Sequence, residues 1–264
     1  MSEDLTIYTK NSLLAELIKI RGLGWVPNAR PGNVGGVGNT LEDLLGIEEN
    51  NLPIPNAAEW ELKTQRMNTG SLTTIRHIEP SPTALRFVPK ILLPLYGWPH
   101  KEAGKKYSEN ERSFRQTICA NRRTDRGFGL NIDREQDRVE VSFDSNCVSA
   151  HHSDWLSSVK TRIGLDELNP QPYWGFEDLF HSIGTKLKNC FYVKADVVRK
   201  KGIEYFHYKE IFILQSFSLE RFLEGLEEAQ VLVDFDARTG HNHGTKFRLR
   251  PAFLPSLYDD VQSF

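Results

Sequence analysis

The sequence predicts a mixed α/β fold of the α+β kind. Three observations predict it. Segments with apolar residues at helical spacing interleave with segments of strand-like alternation, the pattern of a sheet covered by helices. Hydrophobic residues make up 39% and charged residues 26%, enough for an ordinary buried core. The 264 residues hold no internal repeat and no low-complexity tract, which excludes solenoid and fibrous architectures. This length suits one large domain, 1–264, and no sharp internal boundary is visible.

Residues 5–21 read as a helix with Leu13, Leu14, Leu17 and Ile18 on one face. The stretch from Gly22 to Thr40 holds six glycines and two prolines and reads as a loop. Asn39 and Thr40 are good N-cap residues, so a short helix, LEDLLGI, is expected after them. Another loop, EENNLPIPN, leads to a strand at about Ala58 to Thr64, and a second strand spans Thr73 to Ile78. Tyr107 to Ala120 suggests a short helix. Arg126 to Asp144 reads as a hairpin, with Phe128, Leu130 and Ile132 alternating on one arm and Val139, Val141 and Phe143 on the other. Phe176 to Asn189 is an amphipathic helix whose stripe is Phe176, Leu179, Phe180, Ile183 and Leu187. CFYVKADVV and IEYFHYK pair around a Lys-Lys-Gly turn. Ser218 caps the helix SLERFLEGLEEA. VLVDFDA and KFRLR close the fold as two strands joined by a short polar loop.

Thirty-three basic against 35 acidic residues give a formal net charge of -2. That balance argues against histone-like coating of nucleic acid, although a local basic cleft remains compatible with it. No apolar run approaches the ~18 residues of a membrane span. The polar, acid-bearing start MSEDLTIYTK does not read as a secretory signal, so a cytoplasmic protein is expected. Cys119, Cys147 and Cys190 are odd in number and far apart, which suits reduced thiols. A zinc site at Cys147, His151 and His152 lacks the paired spacing such sites use.

Four segments carry chemistry. In PNAAEWELK, strand alternation turns Ala58, Trp60 and Leu62 to the core and Glu59, Glu61 and Lys63 to a solvent cleft. Two carboxylates beside an ammonium suit magnesium, a hard cation that polarises a phosphodiester and acidifies a bound water. A salt-bridged outer strand face has the same pattern. Glu42, on the helix before that strand, is a further carboxylate, equally well read as an acid favouring a helix N-terminus. The Gly-rich loop lacks the lysine of a phosphate-binding loop. In TGHNHGTKFRLR, His241 and His243 flank Asn242 in a tight loop, and Lys246, Arg248 and Arg250 share one strand face. Arg238 to Arg250 holds four Lys/Arg and no acid, which suits entry into a DNA groove, with Arg read against guanine and Asn against adenine. The alternatives are a metal held by the two histidines, or a solvated hairpin. Finally, Lys101 to Arg126 carries eight Lys/Arg and four acids, suited to phosphate contact or to a solvated loop.

Taken together, GNVGGVGNTLEDLLGIEENN, PNAAEWELK, SFRQTICANRRT, PYWGFEDLF and HNHGTKFRL resemble, in order and spacing, the MvaI/BcnI family of type II restriction endonucleases. The resemblance runs from about Gly24 to Leu249. It implies a PD-(D/E)xK core, related to the nickase MutH, with a mixed central sheet flanked by helices and two lobes around a DNA cleft. The catalytic lobe would cover roughly residues 1–130 plus parts of the C-terminal half, and the DNA-recognition elements roughly 175–250. It implies a monomer that uses Mg2+ to cut double-stranded DNA at a CC-centre-GG site by successive nicks. Carried over, Glu61 matches the acidic metal ligand, Lys63 the motif lysine and Glu42 the helix glutamate, while His241, His243, Arg248 and Arg238 match the base-reading segment. The motif aspartate falls at Asn56, an amide that can ligate metal but brings no charge. Glu59 or Glu42 then supplies the missing carboxylate, or Asn56 is an engineered change, or the protein binds DNA and cuts it poorly. A MutH-like strand nickase is the alternative within nucleases.

Overall fold

A computed structural model describes residues 8–33, 35–47, 59–67 and 69–264. In chain order the principal elements are α1 (Lys10–Gly22), β1 (Val26–Pro27), α2 (Gly36–Leu45), β2 (Glu61–Arg66), β3 (Thr73–His77), β4 (Trp98–Pro99) and β5 (Arg112–Ile118). Then come β6 (Arg126–Asp133), β7 (Arg138–Val148), α3 (Ser153–Arg162), β8 (Tyr173–Gly175), α4 (Phe176–Leu179) and α5 (Thr185–Leu187). The chain closes with β9 (Asn189–Lys200), β10 (Ile203–Phe217), α6 (Leu219–Glu227), β11 (Val231–Arg238), β12 (His241–Leu249) and β13 (Tyr258–Ser263). The mixed α/β class is as expected.

The chain divides into two compact units. One comprises 1–71, 182–218 and 251–264, the other 72–181 and 219–250. Residues 72–130, expected with the catalytic lobe, therefore fall in the second unit.

The first unit is built on a sheet ordered β1-β10-β9-β2, with β13 also on β10. β2 runs parallel to β9, with Glu61 opposite Cys190 and Lys63 opposite Tyr192. β9 and β10 form a long hairpin around Lys201 and Gly202, both at positive φ (49° and 83°), the geometry a two-residue turn demands. Thr9 caps α1 in a reciprocal box with Ser12. Leu13, Leu17 and Ile20 are the buried face of α1, whereas Ile18, expected there, is 41% exposed. They join Trp60, Leu62, Phe191, Val193, Phe206 and Ile211 in one core.

The helix expected from Leu41 starts earlier, at Gly36, so Asn39 and Thr40 lie inside it rather than capping it. Packing explains this. A Cβ on Gly36 would stand 2.7 Å from Asn28 Nδ2, and one on Gly38 3.1 Å from Thr64 Oγ1. The glycines read as loop formers are there to let α2 approach its neighbours, and α2 packs on β2.

The second unit holds a sheet ordered β3-β12-β11-β5-β4 and a smaller sheet β6-β7-β8. The hairpin expected at Arg126 to Asp144 is present, with Phe128, Val139, Val141 and Phe143 almost fully buried. Tyr107 to Ala120, expected to contain a helix, contains β5 instead. Its pairing along β11, from Ser113–Arg238 to Ile118–Val233, decides the conformation. The amphipathic segment 176–187 is helical but not uniform, because a π-helical turn at Phe180–Gly184 separates α4 from α5. Leu179, Ile183 and Leu187 are buried while Phe180 is half exposed, a face rotated by the extra residue per turn. No helix among the described residues is long and apolar enough to cross a membrane.

Candidate functional site

Trp60 and Leu62 turn to the core as expected, and Glu59 is exposed. Glu61, expected to face a solvent cleft, is instead fully buried, with 0% of its surface accessible. A strand in parallel pairing is covered on both faces, so alternation alone does not give solvent access. Asn56 and Ala58 lie outside the described residues.

Glu61 Oε1 stands 2.6 Å from Lys63 Nζ and 3.7 Å from Lys186 Nζ. Despite these charge contacts, neither carboxylate oxygen accepts a well-aligned hydrogen bond among the described residues. Lys63 and Lys186 are themselves largely buried, at 18% and 13% side-chain exposure. Burial, and then the Glu61 charge, push the Cys190 thiol far above its usual value. The neighbouring Tyr258 hydroxyl is raised too, by burial and then by Cys190 and Glu61. Neither group is available as a nucleophile at neutral pH. Glu42 is half-buried on α2.

A buried carboxylate whose lone pairs are poorly used fits a cation. A carboxylate oxygen donor suits a hard divalent ion over zinc, which prefers nitrogen and sulfur, with the charge of Lys63 and Lys186 opposing the cation. Lys186 was not predicted. It sits on the polar side of the stripe in FEDLFHSIGTKLKN, where a lysine reads as solvated.

The second cluster is the β11–β12 hairpin. The expected polar loop is shorter than the sequence suggests, since β12 begins at His241 and only Thr239 and Gly240 turn the chain. His243 and Gly244 together oppose Asp236 alone, a β-bulge with Gly244 at φ 83°. His241, Asn242 and His243 are exposed, and the two imidazole rings lie 4.2 Å apart, nearly perpendicular. His241 and Asn242 border a recess of about 270 Å³ with Arg86, Lys90 and Arg238. His243 borders another, of about 120 Å³, with Arg115, Asp236 and Arg238.

The alternation of Lys246 and Arg248 against buried Phe247 and Leu249 is as read from the sequence. The cations are not bare, however. Lys246 Nζ is 3.4 Å from Asp236, Arg115 Nε is 2.8 Å from the same carboxylate, and Arg248 is 3.3 Å from Asp234. Arg238 pairs with the buried Glu111 at 3.0 Å and stacks over Tyr107. Burial pushes the Asp236 carboxyl up, but the Arg115 hydrogen bond and the surrounding cations outweigh it, and the group ends below the usual carboxylate range. His77, opposite Lys246, is lowered by burial and then by that lysine, so it is neutral at pH 7. The alternation of VLVDFDA was the available signal for Asp234 and Asp236, which share the face of the basic residues.

The basic segment 101–126 divides its charges. Arg126 lies over the Trp98 ring at 4.0 Å, and Arg123 donates to Gly127 O and Ser142. With Arg122 they border a cavity of about 490 Å³. Cys147 is exposed and donates to Asp144, while Asp125, His151 and His152 bring three potential ligand atoms within 4.8 Å.

A model of the MvaI/BcnI restriction endonuclease family matches residues 14–258. Among solved structures, the chain is similar to one described as a restriction endonuclease MvaI–cognate DNA substrate complex. The identity is 26% over 100% of this chain and 99% of that one, with a TM-score of 0.74. MvaI in the absence of DNA matches at 24% identity over 98% and 99%, with a TM-score of 0.56, a likeness of fold. No curated protein sequence matches.

Proposed function

The chain belongs to the MvaI/BcnI restriction endonuclease family, and on that premise we propose a magnesium-dependent enzyme that cuts both strands of a short CC-centre-GG duplex site as a monomer, by successive nicks. The observation that carries the reading is Glu61: a fully buried carboxylate with no well-aligned hydrogen bond among the described residues, 2.6 Å from Lys63. Restriction endonucleases generally use a divalent metal. Glu61, with Glu42 and Asn56, would hold it here, and the ion would supply Lewis-acid polarisation of the phosphodiester.

The protein's own groups do the rest. Lys63, 2.6 Å from Glu61, would orient the attacking water and offset developing negative charge on the phosphate. Lys186 adds a second buried cation on the same carboxylate. Arg238, His241, His243, Lys246 and Arg248 would form the DNA interface, with donors for guanine edges. Asp236 would accept from a cytosine amino group once Arg115 or Lys246 turns to phosphate. The ion pairs on that face give each cation a partner to exchange for a phosphate. DNA as the partner is supported by the cognate DNA complex of MvaI.

Asn56 favours a second reading, a site-specific DNA-binding protein that cuts weakly. Plasmid incubated with magnesium tests both. Discrete fragments passing through open circles are expected, and sequencing their ends gives the site and cut positions. No nick or fragment from either the protein or its Asn56→Asp variant would overturn the nuclease reading. Cutting by Asn56→Asp alone would establish the weak one.

A further inference from the structure

We propose that Glu79 is the positioning residue that holds the base-reading end of the β11–β12 hairpin in shape. The inference rests on the reading of that hairpin as the DNA interface. Glu79 follows β3, more than 160 residues away in sequence from the segment it holds. Its carboxylate accepts three hydrogen bonds from β12: from Asn242 Nδ2 at 3.3 Å, from the Thr245 backbone N–H at 3.0 Å and from the Thr245 hydroxyl at 3.1 Å.

These donors bracket the bulge at His243 and Gly244. A Cβ on Gly244 would stand 3.6 Å from Glu79 Oε1, so the carboxylate lies against the bulge itself. Thr245 is fully buried, whereas His241, Asn242 and His243 are exposed. Glu79 therefore ties the exposed end of the strand to its buried root.

Asn242 is spent in the same arrangement. Its Oδ1 accepts the Gly244 N–H at 3.0 Å while its Nδ2 donates to Glu79. Both ends of the amide shape the bulge, so Asn242 is a spacer and base reading passes to His241 and His243. Hydrogen bonding to a base edge tolerates only small displacements, and a bulge fixed before binding does not pay its ordering entropy on the DNA. Without Glu79, two hydrogen bonds of the Thr245 root and one of Asn242 are lost together, and the imidazoles are no longer held in one place.

The test compares wild type, E79A and E79Q in calcium buffer on two labelled duplexes of equal length. One carries the site read from wild-type cut ends, and the other has that site scrambled. E79A should bind the site duplex about ten-fold more weakly and the scrambled duplex as wild type does. E79Q, whose amide still accepts from Thr245 N–H, should fall between. Equal affinity of E79A and wild type for the site duplex, or an equal fall on both duplexes, overturns the proposal. So does a wild type with no preference between them. A wild type that yields no discrete cut ends sinks the DNA-interface reading itself, and Glu79 with it. Discrete cutting with unaltered E79A binding sinks Glu79 alone. If a thermal melt shows E79A unfolded, E79Q and N242A carry the same comparison.

Discussion

The sheet containing β2 and the sheet containing β12 both obey strand alternation, yet they put charge in opposite environments. On β12, Lys246 and Arg248 alternate with buried Phe247 and Leu249 and keep 20% and 29% of their side chains exposed, as an antiparallel sheet with one solvated face allows. On β2, Glu61 alternates with Trp60 and Leu62 and is as buried as they are. The difference is the neighbour. β2 runs parallel to β9, and its polar face is closed by Lys186 and Tyr258. On the proposed reading, the charge on the first sheet would serve chemistry where water is kept out, and the charge on the second would serve recognition at a face open to solvent.

The largest expected effect follows from separating these two tasks. Glu61→Ala should lower cleavage by about a thousand-fold or more, since a metal's charge stabilisation is worth several kcal/mol. Site-specific DNA binding in calcium buffer should change by no more than about two-fold, because base and phosphate contacts carry it. Single-turnover cleavage beside gel-shift titration measures both. Binding that falls together with cleavage would break the division of labour.

The same contrast explains what was legible in the sequence. The basic face of β12 was readable because nothing intervenes between alternation and exposure there. The burial of Glu61 was not, because it depends on β9 and on Lys186, more than 120 residues away. The early start of α2 was hidden for a similar reason: glycines that serve close packing on Asn28 and Thr64 look the same as glycines that serve a turn. β5 was missed because its strand character comes from pairing with β11, over 110 residues downstream. Block order, by contrast, carried the family without any long-range contact.

A middle effect is expected on the sheet that carries the proposed DNA interface. His243→Ala should weaken binding to the cognate duplex by about ten-fold and reduce discrimination at one base pair, the usual worth of one good base contact. Cleavage at saturating DNA should stay within about three-fold of wild type, in contrast to the Glu61 variant. Competition between the cognate duplex and single-base-pair variants reads this out. An equal loss on every variant would recast His243 as a phosphate contact.

The smallest effect sharpens the comparison at the level of surface ion pairs. Arg66 meets Glu204 through two hydrogen bonds of 2.8 and 3.0 Å, with both side chains only about a quarter exposed. The Arg66 hydrogen bond holds the Glu204 carboxyl below its usual range against the opposing pull of burial. A folded-state value below the unfolded one stabilises above the unfolded pKa and fades as pH falls through the folded one. Arg66→Ala should therefore cost about 1 kcal/mol at pH 7 in urea unfolding, and less as the pH falls through the lowered Glu204 range. The part that persists in acid is the packing of Arg66 over Phe206, which carries no proton. Arg115, 64% exposed beside Asp236, should give almost no loss in the same measurement. If Arg115→Ala costs as much as Arg66→Ala, then the recognition face is braced for stability, and its ion pairs are not held ready for exchange with phosphate.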